Sequence, residues 1–263
     1  MTRTVADVAL EASTCTRCKL AGMGRTQVVF GVGNAEADLM FIGEAPGFHE
    51  DRQGEPFVGA AGQLLNRMLG EIDLARDDVY ICNVIMSRPP GNRDPEADEI
   101  EACTPWLVEQ ISLIQPRLIV TLGNFATKFV LQTRLGITRT RGQVYSWHGR
   151  AVIPTFHPAA ILHGGGERSS QFQDLRADFE LVQRTLASGD RPAASRKPVA
   201  GEPVPAEPPS MDEPTPVDEP PPMEEEPPIE PAPRLARVPG LAARPDPPVL
   251  VPETPAEEQL GLF

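Results

Sequence analysis

Four short apolar runs recur along the chain, at residues 38–42, 79–85, 118–122 and 151–155. Each is nearly unbroken in hydrophobicity and is followed by a glycine or other turn residues, the pattern of strands buried on both faces. Segments with helical spacing separate them, at residues 62–72, 95–115 and 126–135, and another follows the fourth run at 170–186. Pro95, followed by Glu96, Asp98 and Glu99, supplies proline and acidic groups to a first helical turn, where unpaired N–H groups favour negative charge. This strand–helix alternation predicts an α/β fold: three layers, α/β/α, around a central, mainly parallel four-stranded sheet. Residues 27–30 read as one further short strand.

The periodicity stops at Gly189. Of the 30 prolines, 21 lie beyond it, together with 15 acidic and 6 basic residues, a net −9 of the chain's −13. Such a segment buries too little apolar surface to offset the entropy of ordering, which predicts a disordered Pro/Glu-rich linker. The expected organisation is a folded domain over residues 1–189, a linker over 190–258 and a terminal peptide over 259–263. Because the acidity belongs mostly to the linker, it does not exclude a nucleic-acid partner for the domain. The N-terminus has no apolar signal core and no stretch approaches the roughly 18 apolar residues of a membrane span. A cytoplasmic protein is expected, in which the four cysteines are metal ligands, redox groups or core residues rather than disulfides.

Three constellations carry candidate chemistry. Residues 43–65 form a long connection at a strand end, with four acidic residues, five glycines and Phe57, where open α/β sheets place ligand sites. Asn83, near the end of the second run, offers both donor and acceptor to a cyclic amide, and Arg88 and Arg93 follow it among turn residues suited to phosphate contacts. His157, after the fourth run, points into the same crevice; Ile161 and Leu162, ahead of three glycines, read as an exposed apolar wedge. Separately, Cys15-Thr-Arg-Cys18 leaves zinc, an iron–sulfur cluster and a dithiol open, with Cys103 as a third ligand and Cys82 as a small apolar filler inside a strand.

With these residues in order, the chain resembles a family 4 uracil-DNA glycosylase, the bacterial and archaeal type that carries an iron–sulfur cluster. The resemblance spans about Cys15 to Leu186 and rests on CTRC, VVFGVGNAEADLMFIGEAPG, EDRQGEPFVGAAGQLL, YICNVIMSRPPGNRDP and TFHPAAIL. It implies that Phe57 stacks on a flipped uracil, that Asn83 reads the uracil edge, and that His157 stabilises charge on uracil O2. Glu44 and Glu50 then line the pocket, Glu50 near the C5 edge where it excludes the thymine methyl, and Gly43 allows close approach of the nucleotide. Ala45 stands where family 1 enzymes carry a water-orienting aspartate, which leaves Glu44 to position water. Arg88, Arg93 and Arg168 would hold phosphates. The family's 4Fe-4S cluster has four cysteine ligands; Cys15, Cys18 and Cys103 match three of them, while the remaining position is Ser87. Ser87 or an exogenous group completes the set, or Cys82 is recruited, or the cluster is labile.

The chain ends Gln259-Leu260-Gly261-Leu262-Phe263. Gln259, Leu260, Leu262 and Phe263 resemble the peptide by which bacterial repair and replication proteins dock on the sliding clamp, which implies a clamp partner held at raised effective concentration by the linker. The expected activity is that of a monomeric, monofunctional enzyme that flips uracil out of DNA, hydrolyses its glycosidic bond and leaves an abasic site. The alternatives are a non-catalytic clamp-associated DNA-binding scaffold of the same fold, and a covalent uracil-DNA-binding relative. The second carries an inserted basic loop with a histidine, absent here between Ile85 and Pro95.

Overall fold

The structure is a computed structural model that describes residues 3–188. The proline-rich segment and the terminal peptide lie outside the described residues. In chain order the elements are α1 (Val5–Ser13), β1 (Val32–Gly33), β2 (Leu39–Gly43), α2 (Phe48–Gln53), α3 (Ala60–Glu71), β3 (Tyr80–Asn83), α4 (Ala97–Ile114), β4 (Leu118–Leu122), α5 (Gly123–Leu131), α6 (Ile137–Thr140), β5 (Tyr145–Trp147), β6 (Arg150–Thr155), α7 (Pro158–His163) and α8 (Ser170–Ala187).

The four expected strands are β2, β3, β4 and β6, and they pair in parallel as the centre of a six-stranded sheet ordered β1-β3-β2-β4-β6-β5. Every residue of β2, β3 and β4 is buried, which is why each reads as an unbroken apolar run. Alternation then divides the side chains between two cores. Leu39 and Phe41 of β2 join Val120, Ile153 and the helices α3 and α8, where Phe41 stacks on Phe179 at 5.9 Å. Met40 and Ile42 point the other way, with Ile119, Val152 and residues of α1, α4 and α5. The three-layer architecture follows from this division.

The two edges were not foreseen. β1 and β5 are two and three residues long and run antiparallel to β3 and β6. Short, partly exposed edge strands carry too few residues for a period to show. Residues 27–30 form no strand; Val29 N–H makes one bond, 2.8 Å, to Met86 C=O, and the edge pairing falls at Val32–Gly33 instead. The second run ends as a strand at Asn83, because Val84 and Ile85 donate to Gly43 and Glu44 C=O at 2.9 and 3.1 Å and so follow the exit of β2. Helix α4 begins one residue after its cap Glu96, whose N–H donates to Glu99 Oε2 at 2.9 Å.

The connection leaving β2 leads to β3 on one side, and that leaving β4 leads to the β5–β6 pair on the other. Their carboxyl ends therefore diverge above the middle of the sheet and open a crevice there. Among the described residues no helix is long and apolar enough to cross a membrane.

Candidate active site

The crevice is a cleft of about 410 Å³ lined from three strand ends: Glu44 and Ala45 after β2, Asn83 at the end of β3, and His157 after β6, with Phe57 and Glu50 from the long connection. Gly43 and Asn83 are paired in register across the sheet. A Cβ at residue 43 would collide with Asn83 Oδ1 and approach Phe57 Cζ to 2.6 Å, so only glycine lets the amide and the ring converge here. Asn83 is 1 % exposed, and its Oδ1 has no hydrogen-bond partner among the described residues. A buried acceptor left unpaired costs free energy that a ligand donor would return.

Phe57 adopts φ 54°, a left-handed conformation that a bulky side chain reaches only under restraint. Glu50 Oε1 accepts the next two backbone N–H groups, of Val58 and Gly59, at 3.0 and 3.1 Å. Arg76 donates to the carbonyls of Pro56 and Phe57, the latter at 3.3 Å. So held, the ring lies 5.5 Å from that of His157, inclined by 32°.

His157 caps α7: its Nδ1 accepts Ala159 N–H at 3.2 Å. Nδ1 therefore presents its lone pair, and the neutral ring carries its proton on Nε2, as a donor. Burial pushes the imidazole pKa down to about 4, against a smaller opposing effect of Glu50. The end of β6 is anchored two residues earlier. Thr155 Oγ1 donates to buried Asp178 at 2.6 Å, and Asp178 in turn accepts Arg141 Nε and Nη2 at 3.0 and 2.7 Å. Glu44 titrates in the other direction: burial, assisted by Asp94, lifts its carboxyl to about 7.

Two expected contacts take other positions. Ile161 is fully buried in the core beside α3 and α8, whereas Leu162 is 41 % exposed. In a helix, neighbouring residues point in different directions, so the wedge reduces to Leu162 alone. Arg93 is bidentate on the buried Glu99 at 2.6 and 2.9 Å, which occupies the guanidinium that was expected to hold phosphate. Arg88 and Arg168 carry no such pair among the described residues, and Arg168 is exposed. Asn92 and His163 also line the cleft, and sequence reading did not single them out.

A second cavity gathers Cys15, Cys18, Cys103 and Ser87, together with Arg25 and Trp106. Cys82 is not there: it is fully buried in β3 and belongs to the core, which removes it as a substitute ligand. Trp106 Nε1–H points at Cys15 Sγ, 3.3 Å away, and Arg25 Nη1 donates to Ser87 Oγ at 2.7 Å while also reaching Cys15 C=O. The three sulfurs do not all lie within 4.8 Å of one another, as the ligands of one tetrahedral ion would. Burial pushes the Cys103 thiol up to about 11. Three thiols and a hydroxyl gathered in one cavity are a donor set that could hold a metal group.

The tautomer and burial of His157 make a direct prediction. A ¹⁵N-detected titration should show one imidazole neutral and Nε2-protonated from pH 8 down to about 5, with a midpoint near 4. A midpoint at the ordinary value near 6.5 would contradict this reading of the site.

The family described as "Uracil DNA glycosylase superfamily" matches residues 30–180. The type-4 uracil-DNA glycosylase of Sulfurisphaera tokodaii is 47% identical over 182 residues, 65% of this chain and 82% of the relative. That of Thermotoga maritima is 47% identical over 150 residues, 56% and 78% of the two chains. A type-5 uracil-DNA glycosylase of Pyrobaculum aerophilum is 34% identical over 147 residues, 49% and 64%. The chain belongs to the uracil-DNA glycosylase superfamily, among the type-4 enzymes that remove uracil from DNA.

Proposed function

We propose that Asn83, Phe57, His157 and Glu44 form the uracil site, and the observation that carries the reading is the buried, unpaired Asn83 Oδ1. The base must leave the duplex stack to reach a cleft this deep, at a cost of a few kilocalories per mole. Its face stacks on Phe57, and its N3–H donates to Asn83 Oδ1. Cytosine has a lone pair at N3 in place of that hydrogen, so it would leave the acceptor unpaired and add a repulsion; a mispaired buried polar group discriminates strongly. Glu50 sets the Phe57 platform through its two backbone bonds, and its carboxylate at the wall beside Gly47 limits the space for a C5 methyl group.

Heterolysis of the C1′–N1 bond leaves its electron pair on uracil and a cationic sugar. The neutral His157 Nε2–H donates to O2 as charge develops there, without carrying a positive charge that desolvation would oppose. Glu44, as the carboxylate, stabilises the sugar cation and takes a proton from the water whose oxygen bonds to C1′. Glu44 gives up that proton, directly or through solvent, to the uracil anion, so the products are free uracil and an abasic site. Leu162, Arg88 and Arg168 contact the DNA, Leu162 by entering the space the base vacates.

Cys15, Cys18 and Cys103, with Ser87 or an exogenous group as a fourth ligand, would hold a 4Fe-4S cluster. Bound there, it would play a structural part, tying the segment before β1 to the loop after β3 and to α4. The cavity between these residues measures about 10 Å³ and is bordered by Arg25, which donates to Ser87 Oγ at 2.7 Å. The protein acts as a monomer: one chain supplies every group named for the reaction. Through Gln259, Leu260, Leu262 and Phe263 it docks on a sliding clamp, and residues 190–258 serve as the tether.

Three measurements follow. Uracil release from an oligonucleotide should rise with pH through about 7 as Glu44 ionises and level off above it; E44Q should lack that rise, and an unaltered profile in E44Q would overturn the role. Anaerobically purified protein should absorb near ~400 nm and contain iron, as iron–sulfur thiolates do; a colourless, iron-free preparation would refute the cluster. Removal of residues 259–263 should abolish binding to an immobilised bacterial clamp, with uracil release from a short oligonucleotide as the folding control, and equal clamp affinity would refute the tether.

A further inference from the structure

Phe48 is a large apolar side chain left 45 % exposed, and nothing in the reaction described above uses it. It opens α2 directly after Pro46 and Gly47, which line the cleft. Two guanidiniums approach its ring, Arg52 at 5.5 Å from the same helix and Arg88 at 5.2 Å from the loop after β3. His49 meets it edge-on at 5.5 Å. Arg88 Nε donates to Asn92 Oδ1 at 2.7 Å, and Asn92 and Pro89 belong to the cleft wall supplied by the loop after β3. One aromatic ring and two cations thus bridge the two lips of the cleft. Among the described residues neither Arg52 nor Arg88 is paired with a carboxylate, whereas Arg93, five residues beyond Arg88, is.

An exposed aromatic face interleaved with unpaired guanidiniums is the composition of a single-strand stacking platform: the ring takes a base and the cations take phosphate. A strand whose uracil fills the cleft continues past this lip, and the groups nearest the lip meet the adjoining nucleotide first. We propose that Phe48, with Arg52 and Arg88, binds the nucleotide next to the flipped uracil on the same strand. Its base stacks on Phe48 in place of one guanidinium, and the displaced guanidinium pairs with the neighbouring phosphate. The ligand class is an unpaired DNA base of any identity, because every base presents a π-face. The site therefore favours single-stranded or locally opened substrates, since a duplex neighbour is already stacked on its own partners. The inference rests on the cleft holding the uracil of DNA.

The test uses the full chain and oligonucleotides with a non-cleavable 2′-fluoro-deoxyuridine, carrying 2-aminopurine on either its 5′ or its 3′ side. Binding by the wild-type protein should quench the probe on one side. F48L, an apolar replacement at an exposed position, should lose that quenching and bind the single strand about tenfold more weakly, and F48W should keep both properties. R52Q/R88Q should lower the salt dependence of binding by about one phosphate contact. F48L should weaken duplex binding less than single-strand binding. Quenching and affinity unchanged in F48L, or equal losses on single strand and duplex, would overturn the proposal. Uracil release by the wild-type protein from the fluorine-free oligonucleotide reports on the catalytic reading separately.

Discussion

Phe57 sits at a backbone angle that its size opposes, and the groups that hold it there also build the cleft. Glu50 takes the two N–H groups beyond it, Arg76 takes the carbonyls at and before it, and Gly43 leaves the space its ring enters. Relaxing that conformation would move the ring away from Asn83 and His157 together. Strain of about 1–3 kcal/mol at one residue persists only where its surroundings over-determine it, and here they do so from two sides. The carboxylate that a functional reading places against the base is, in the structure, first a brace for the ring.

The remaining polar groups arrive through the sheet. Parallel strands place their carboxyl ends on one edge, so Glu44, Asn83 and His157, far apart in sequence, come to one cavity without any direct bond between them. Burial shifts the two that titrate: it keeps the His157 ring neutral and raises the Glu44 carboxyl to about 7. The Thr155–Asp178–Arg141 network fixes the end of β6, which limits how far the imidazole can drift.

The centre of the fold was legible because its strands are buried on both faces and so appear as continuous apolar runs. The edges were not, since two or three half-exposed residues show no period. Side-chain assignments on short elements failed for a related reason. Helix α7 has six residues and begins at a proline, so nothing in the sequence says which of Ile161 and Leu162 faces inward. Arg93 reads as a free cation in a polar loop until the start of α4 brings Glu99 to it. Cys82 was read correctly as filler from its place inside a strand, and burial makes it unavailable as a ligand. Phe48 was not singled out within its polar connection; only the approach of Arg88 from another segment gives it a context.

The central claim is that the unpaired Asn83 acceptor, in the cleft beside a neutral histidine, is what the uracil edge satisfies. Single-turnover uracil release by N83A tests it most directly, with circular dichroism to verify the fold. Loss of one preorganised contact that acts in the transition state is worth about 10²–10³ in rate, and a decrease of that size is predicted. A folded N83A enzyme releasing uracil within a few-fold of the wild-type rate would contradict the account.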